Sequence, residues 1–228
     1  FEKIKHNKNK LLEFHQKLRR LNFLDPACGC GNFLVIAYRE LRLLELEVLR
    51  ASKIYQSELY IHKLINLNVD QFFGIEIEEF PAQIAQVALW LMDHQMNLLV
   101  SEEFGLYFAR IPLETSAKIV CGNALKMDWE EVSPARNLSY IMGNPPFVGA
   151  KFLSDEQRKD VANVFGSMKN AGLLDFVAAW YVKAARMTKG TKICCAFVST
   201  NSITQGEQVG ALWNWMLSEG MKIFFAHR

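Results

Sequence analysis

Residues 23–33 read FLDPACGCGNF, and their reading decides the fold. Phe23 and Leu24 are apolar and run into Asp25 and Pro26. A small-residue turn with Gly29 and Gly31 follows, and from Phe33 to Leu49 the sequence is apolar and compatible with a helix. A buried strand, a tight glycine-rich loop and a helix form the opening unit of a doubly wound α/β sheet, in which ligands lie outside the carboxyl ends of the strands. Glycine lets the loop backbone approach a ligand closely and take up positive φ. The N–H groups at the start of the helix suit an anionic group.

Outward from this unit the alternation continues. Residues 5–20 predict an amphipathic helix, with Leu11, Leu12, Phe14 and Leu18 on or near one face. Gln71–Ile77, QFFGIEI, reads as a second buried strand, and Pro81 suits the first turn of the next helix, whose apolar stripe is Ile84, Val87, Ala88 and Leu91. Residues 51–69 are ambiguous, with Leu59, Ile61, Leu64 and Ile65 suggesting more helix; residues 97–116, with Gly105 and Pro112, read as an irregular insertion. Lys118–Cys121 is a short strand leading into Gly122, Asn123 and Ala124. Ser139–Gly143 is a fourth strand running into Asn144, Pro145, Pro146 and Phe147. Residues 148–168 read as a polar loop, Leu173–Met187 as a helix stopped at Lys189 and Gly190, Ile193–Val198 as a fifth strand, Gln208–Leu217 as a helix, and Met221–Ala226 as a sixth strand. This order predicts an α/β fold with a doubly wound, mostly parallel sheet. Residues 1–21 are expected to form a helix packing on one catalytic domain, residues 22–228.

Composition sets bounds rather than function. In 228 residues, 50% hydrophobic, there is enough apolar material for a sizeable core. No apolar run is long enough to span a bilayer, so no membrane association is expected. The charged start FEKIKHNKNK has neither the apolar centre of a signal peptide nor an initiating Met, so the chain reads as a fragment. Five cysteines argue against a disulfide framework and for a reducing, cytoplasmic setting. Cys28 and Cys30 have no second cysteine pair, so no metal site is expected. A net charge of +2 decides little, since nucleic-acid binders are usually more basic.

Asp25, Glu76, Asn123 and Asn144 each close a strand at its carboxyl end, and in a doubly wound sheet those ends share one edge. A carboxylate ending an apolar strand, as Glu76 does, is costly unless it has a partner. At Asn144 the prolines restrict the backbone, so that the carboxamide and the Pro145 carbonyl can aim at one point. Two fixed acceptors at one point suit a group with two N–H donors. Phe147, directly after them, offers an aromatic face for stacking.

These residues carry a resemblance. DPACGCGNF, FFGIEI, GNAL and NPPF, in that order, resemble the motifs of a class I S-adenosylmethionine-dependent N6-adenine DNA methyltransferase. FLDPACGCGNFL, NPPFVGAK and STNSITQGEQV are most similar to the methyltransferase part of type II enzymes that join restriction and modification on one polypeptide. The resemblance covers about residue 20 to 228 and implies a Rossmann-like methyltransferase fold with S-adenosylmethionine as cofactor. It further implies double-stranded DNA with a flipped adenine as substrate, and endonuclease and target-recognition domains elsewhere in the parent chain.

By the same resemblance Asp25 orients the cofactor's amino group, and Glu76 takes the two ribose hydroxyls. Cofactor contacts extend to Pro26, Ala27, Cys28, Gly29, Gly31, Phe33, Ile77 and Ala124. The catalytic set is Asn144, Pro145, Pro146 and Phe147. Relatives often carry Asp where this chain has Asn123, so Asn123 is either an acceptor for the cofactor's adenine amino group or a turn residue. Asp175 and Thr200, Asn201 and Ser202 are further candidates for the target-base pocket. No cysteine follows a proline, against the Pro-Cys nucleophile of cytosine-5 enzymes; Cys121, Cys194 and Cys195 read as buried strand residues. Relatives close the sheet with a β-hairpin, so the sheet here is expected to be incomplete at the C-terminus, its sixth strand displaced or paired with another chain. Two alternative functions remain open: amino-group methylation of RNA or protein, and a non-catalytic binding module.

Overall fold

A computed structural model describes residues 1–53, 64–104 and 116–227. Leu59 and Ile61, read as helix, and Gly105 and Pro112, read as an insertion, lie outside the described residues. The described elements run α1 (Lys8–Leu18), β1 (Phe23–Asp25), α2 (Asn32–Ser52), β2 (Phe72–Glu76), α3 (Glu79–Phe104), β3 (Lys118–Cys121), α4 (Trp129–Val132), β4 (Tyr140–Gly143), α5 (Asp155–Phe165), α6 (Ala178–Thr188), β5 (Cys194–Phe197) and α7 (Gln208–Ser218).

The five strands are parallel and pair in the order β3-β2-β1-β4-β5. Strand order reverses beside β1, which puts the topological switch point between β1 and β4. Phe23 pairs with Phe72 on one side and Tyr140 on the other, and its ring stacks on theirs at 4.8 and 5.4 Å between centroids. Alternation along the strands supplies two cores. Leu24, Ile75 and Ile141 face α5, α6 and α7, with Trp129, Phe165, Val182 and Leu212. Phe23, Phe72 and Ile119 face α2 and α3, with Leu34, Tyr38, Ala85 and Leu89.

Four elements differ from the sequence reading. The stretch read as a polar loop contains α5; its signal was Ser154, whose hydroxyl accepts from Gln157 N while Gln157 returns the bond to Ser154 N, a capping box ahead of apolar Val161, Val164 and Phe165. Residues 97–104 continue α3 rather than entering an insertion, and the helix read from Leu173 begins at Ala178. Residues 221–227 join no ladder: Met221 N donates to Met216 O across the α7 end, where Gly220 has a φ of 85°, and Ile223, Phe224 and Phe225 are exposed. Cys121, Cys194 and Cys195 are exposed, not buried, because β3 and β5 are the two edges of the described sheet.

A buried polar cluster joins α1, α2 and α3. Arg42 is fully buried and donates to Tyr38 Oη at 2.7 Å, Asp93 Oδ1 at 3.1 Å and Asn97 Oδ1 at 3.0 Å. Glu45 lies one turn on; its Oε1 pairs with His15 Nε2 of α1 at 3.0 Å and accepts from Asn66 N at 2.6 Å. Removing one member of a buried charge cluster leaves the others uncompensated. Arg42→Met therefore lowers unfolding free energy by about 3–5 kcal/mol. Urea denaturation checks this; a loss no larger than that of an exposed arginine such as Arg39 contradicts it.

Candidate active site

The loop after β1 is held from four directions. Cys28 N donates to Ile75 O at 3.0 Å, and Gly29 N donates to Glu76 Oε2 at 2.8 Å, so the end of β2 fixes the loop. Ala27 N donates to Asp25 Oδ1 at 3.0 Å, and Trp180 Nε1 of α6 donates to Pro26 O at 3.0 Å. Gly31, at a φ of 83°, caps α2, and a Cβ there would meet Ala85 of α3 at 3.0 Å. Both demands, left-handed backbone and close helix approach, exclude a side chain. In front of Gly29 the space is open: a Cβ there would have nothing within 4 Å.

Asp25 is 1% exposed. Burial raises its carboxyl pKa to about 7, opposed by the Ala27 N–H and assisted by the Glu76 charge. A Cβ on Gly143 would overlap the Asp25 carboxylate, so the last residue of β4 is glycine where β1 ends in aspartate. That contact sets Asn144, next in the chain, beside the switch point. Cys28 is buried in the α2–α3 core, where burial pushes its thiol well above the usual range.

Glu76 spends one interaction per oxygen on the backbone: Oε2 on Gly29 N and Oε1 on Glu78 N at 3.1 Å. Each oxygen keeps a further lone-pair site. Asn123 is a turn residue in the structure; its Oδ1 accepts from Leu125 N at 2.9 Å and its Nδ2 donates to Asp160 Oδ2 at 2.7 Å. Lys183 staples this turn from α6, its Nζ donating to Ala124 O at 2.7 Å and Met127 O at 2.5 Å; burial lowers its pKa to about 8. Ala124 is buried, whereas Phe33 and Ile77 are exposed at the rim.

Asn144 is exposed at the end of β4, Pro145 is buried beneath it, and Phe147 is 43% exposed. Phe176 N donates to Val148 O at 2.9 Å, and Ala150 N donates to Asp175 Oδ1 at 3.1 Å. Gln208 Nε2 bridges Asp175 Oδ2 and Ser202 O, both at 2.7 Å, while its Oε1 accepts from Asp175 N at 3.0 Å. Asp175 and Ser202 thus serve this wall as supports. Sequence reading missed Trp180, Asp160 and Gln208, whose partners lie far along the chain; only an amide and a tryptophan at the start of helices hinted at them.

The chain matches, over residues 1–228, the protein family described as MmeI, DNA-methyltransferase domain. It belongs to that family. DNA methyltransferase A of Bacillus subtilis (strain 168) is 40% identical to this MmeI-type domain over 223 residues, 96% of the chain and 25% of that protein. The solved structure of the type IIL restriction-modification enzyme MmeI in complex with DNA superposes with a TM-score of 0.91 at 63% identity, over 96% of this chain and 30% of that one. The DrdV–DNA complex, at 19% identity and a TM-score of 0.53, shares the fold alone. The MmeI-type domain therefore spans less than a third of these relatives. Among its described residues no helix is long and apolar enough to cross a membrane, and no three His, Cys, Asp or Glu side chains gather as a metal would require.

The raised Asp25 pKa gives a pH signature. The folded state holds this proton more tightly than the unfolded chain, so the stability it contributes is fully present below about pH 4 and is lost as pH rises through about 7. The loss is on the order of 4 kcal/mol. Asp25→Asn removes it, so its melting temperature should exceed the wild type's at pH 8 and the difference should vanish towards pH 4. Parallel melting curves across that range would contradict this reading.

Proposed function

We propose that this site transfers a methyl group from S-adenosylmethionine to the N6 amino group of adenine in DNA, as part of a restriction-modification system. The observation that carries the reading is the end of β4: an exposed Asn144 beside the switch point, a buried Pro145, and an exposed aromatic ring at Phe147. The membership of the chain in a DNA-methyltransferase domain family supports it.

The fit of the cofactor rests on the loop and its two carboxylates. Open space before Gly29 leaves room beside Glu76, whose free lone pairs would take the ribose hydroxyls. Asp25 would hold the amino group; in its charged form it gains from a cation what burial took from it. Asn123 keeps one carbonyl lone pair for an adenine amino group, and Phe33 and Ile77 would border the ligand. The cofactor, when bound, supplies an electrophilic methyl group. At the other side Asn144 Oδ1 and the Pro145 carbonyl accept the two N–H bonds of the target amino group, which localises the nitrogen lone pair. Phe147 stacks the flipped base. The contribution is orientation and electrostatics, with no covalent enzyme intermediate.

Binding and transfer separate the roles. Glu76→Ala abolishes cofactor binding in calorimetry, whereas Asn144→Ala leaves it nearly intact. Loss of one oriented acceptor costs about 3–4 kcal/mol in the barrier, or roughly 10²–10³ in rate, by analogy with an oxyanion-hole donor. Phe147→Ala weakens capture of the flipped base by about 1–3 kcal/mol, and Phe147→Tyr retains activity. Labelled cofactor and full-length protein measure this on DNA with adenine and, as a control, on DNA whose adenine is replaced by a base lacking the amino group. Transfer that persists on that substrate, or that runs near the wild-type rate in Asn144→Ala, overturns the mechanism; transfer only to RNA or protein overturns the substrate.

A further inference from the structure

Five residues beyond Phe147 the chain presents a second aromatic side chain that neither core uses. Phe152 is 83% exposed, the most exposed large hydrophobic side chain among the described residues. A loose loop tip would make that unremarkable, but this segment is tied down on both sides. Ala150–Phe152 forms a single 3₁₀ turn, with Phe152 N donating to Gly149 O at 2.8 Å. Ala150 N is held by Asp175, itself clasped by Gln208, and Leu153 is buried in the core. The Ser154–Gln157 capping box follows at once. The ring lies over Gly149, where a Cβ would make an ordinary contact with Phe152 Cδ2 at 3.5 Å.

The surroundings are cationic. Lys151, Arg158 and Lys159 are exposed on the same turn and the first turns of α5, and Arg158 Nη2 donates to Lys151 O at 3.3 Å. At the start of α5, Asp155 and Glu156 oppose these three cations, Glu156 being paired with Lys126 and reached as well by the Lys159 charge. A rigidly held, water-exposed aromatic ring set among cations suits a polyanion with flat apolar surfaces to offer. A nucleic-acid duplex has both: phosphates outside and a base stack inside.

We propose that Phe152 is the duplex wedge of this site: its ring enters the base stack at the target pair and holds the gap left by the flipped base, while Lys151 and Arg158 meet flanking phosphates. The inference rests on the reading of the site as a DNA base methyltransferase. Unstacking a base is the step a wedge assists, and that step is cheapest where the target base has no pairing partner.

The test uses the full-length protein, with its recognition site first read from the modified bases in plasmid DNA. Single-turnover transfer is measured on a fully paired duplex and on one with an abasic position opposite the target base. Phe152→Ala is expected to lose about tenfold or more on the paired duplex and less than about twofold on the abasic one, since the latter needs little wedging. Phe152→Trp should restore the rate, and cofactor binding should be unchanged in both. Equal loss on the two substrates, as expected if Phe152 seats another part of the protein, overturns the inference. No loss on either does the same while leaving the reading of the site intact. A wild-type protein that methylates no DNA removes that reading and the inference together.

Discussion

The upper edge of the sheet depends on a carboxylate deprived of water. Asp25 ends the central strand with its side chain buried, and its neighbours are fitted to it. Gly143 leaves the space that its oxygens occupy, Ala27 N–H satisfies one of them, and Glu76 adds a second negative charge nearby. An isolated buried carboxyl would protonate and remain neutral. Holding its charged form at the meeting point of three strands costs folding stability.

Around that centre the loops are fastened by long-range bonds. Trp180 reaches Pro26 across most of the chain, and Gln208 gathers Asp175 and Ser202 while Asp175 holds Ala150. None of these supports is a reacting group. They hold the loop after β1 and the segment after β4 in defined positions. The cluster around Arg42 does the same at the opposite layer, fixing α2 against α3 and, through His15, α1 against α2.

The strand–loop–helix units were legible because each is a local pattern. An apolar run, a polar residue and a glycine or proline lie within a dozen positions, and parallel topology lines up their ends without further information. Asp25, Glu76 and Asn144 were found that way. What stayed hidden depends on partners distant in sequence. Arg42 looks like a helix-surface residue until Asp93 and Asn97 are brought to it. Asn123 bonds Leu125 N and Asp160, and the Asp160 partner, 37 residues on, could not be read from the sequence. The residues after Gly220 have strand composition, but a strand exists only with a ladder partner. Helix α5 was legible in principle; its capping box lay in plain view among charged residues.

The bond from Gly29 N–H to Glu76 has a consequence for how this position tolerates change. One carboxylate both shapes the loop and faces the space in front of it, so the loop is ordered when the chain folds rather than when a ligand arrives. Shortening the side chain to Asp would force a choice between the two duties. Exchanging it for Gln would put a donor amide where two acceptors are needed. Position 76 therefore carries two independent requirements in a single functional group, and drift at this site is narrowed by the architecture of the loop even before chemistry imposes its own selection.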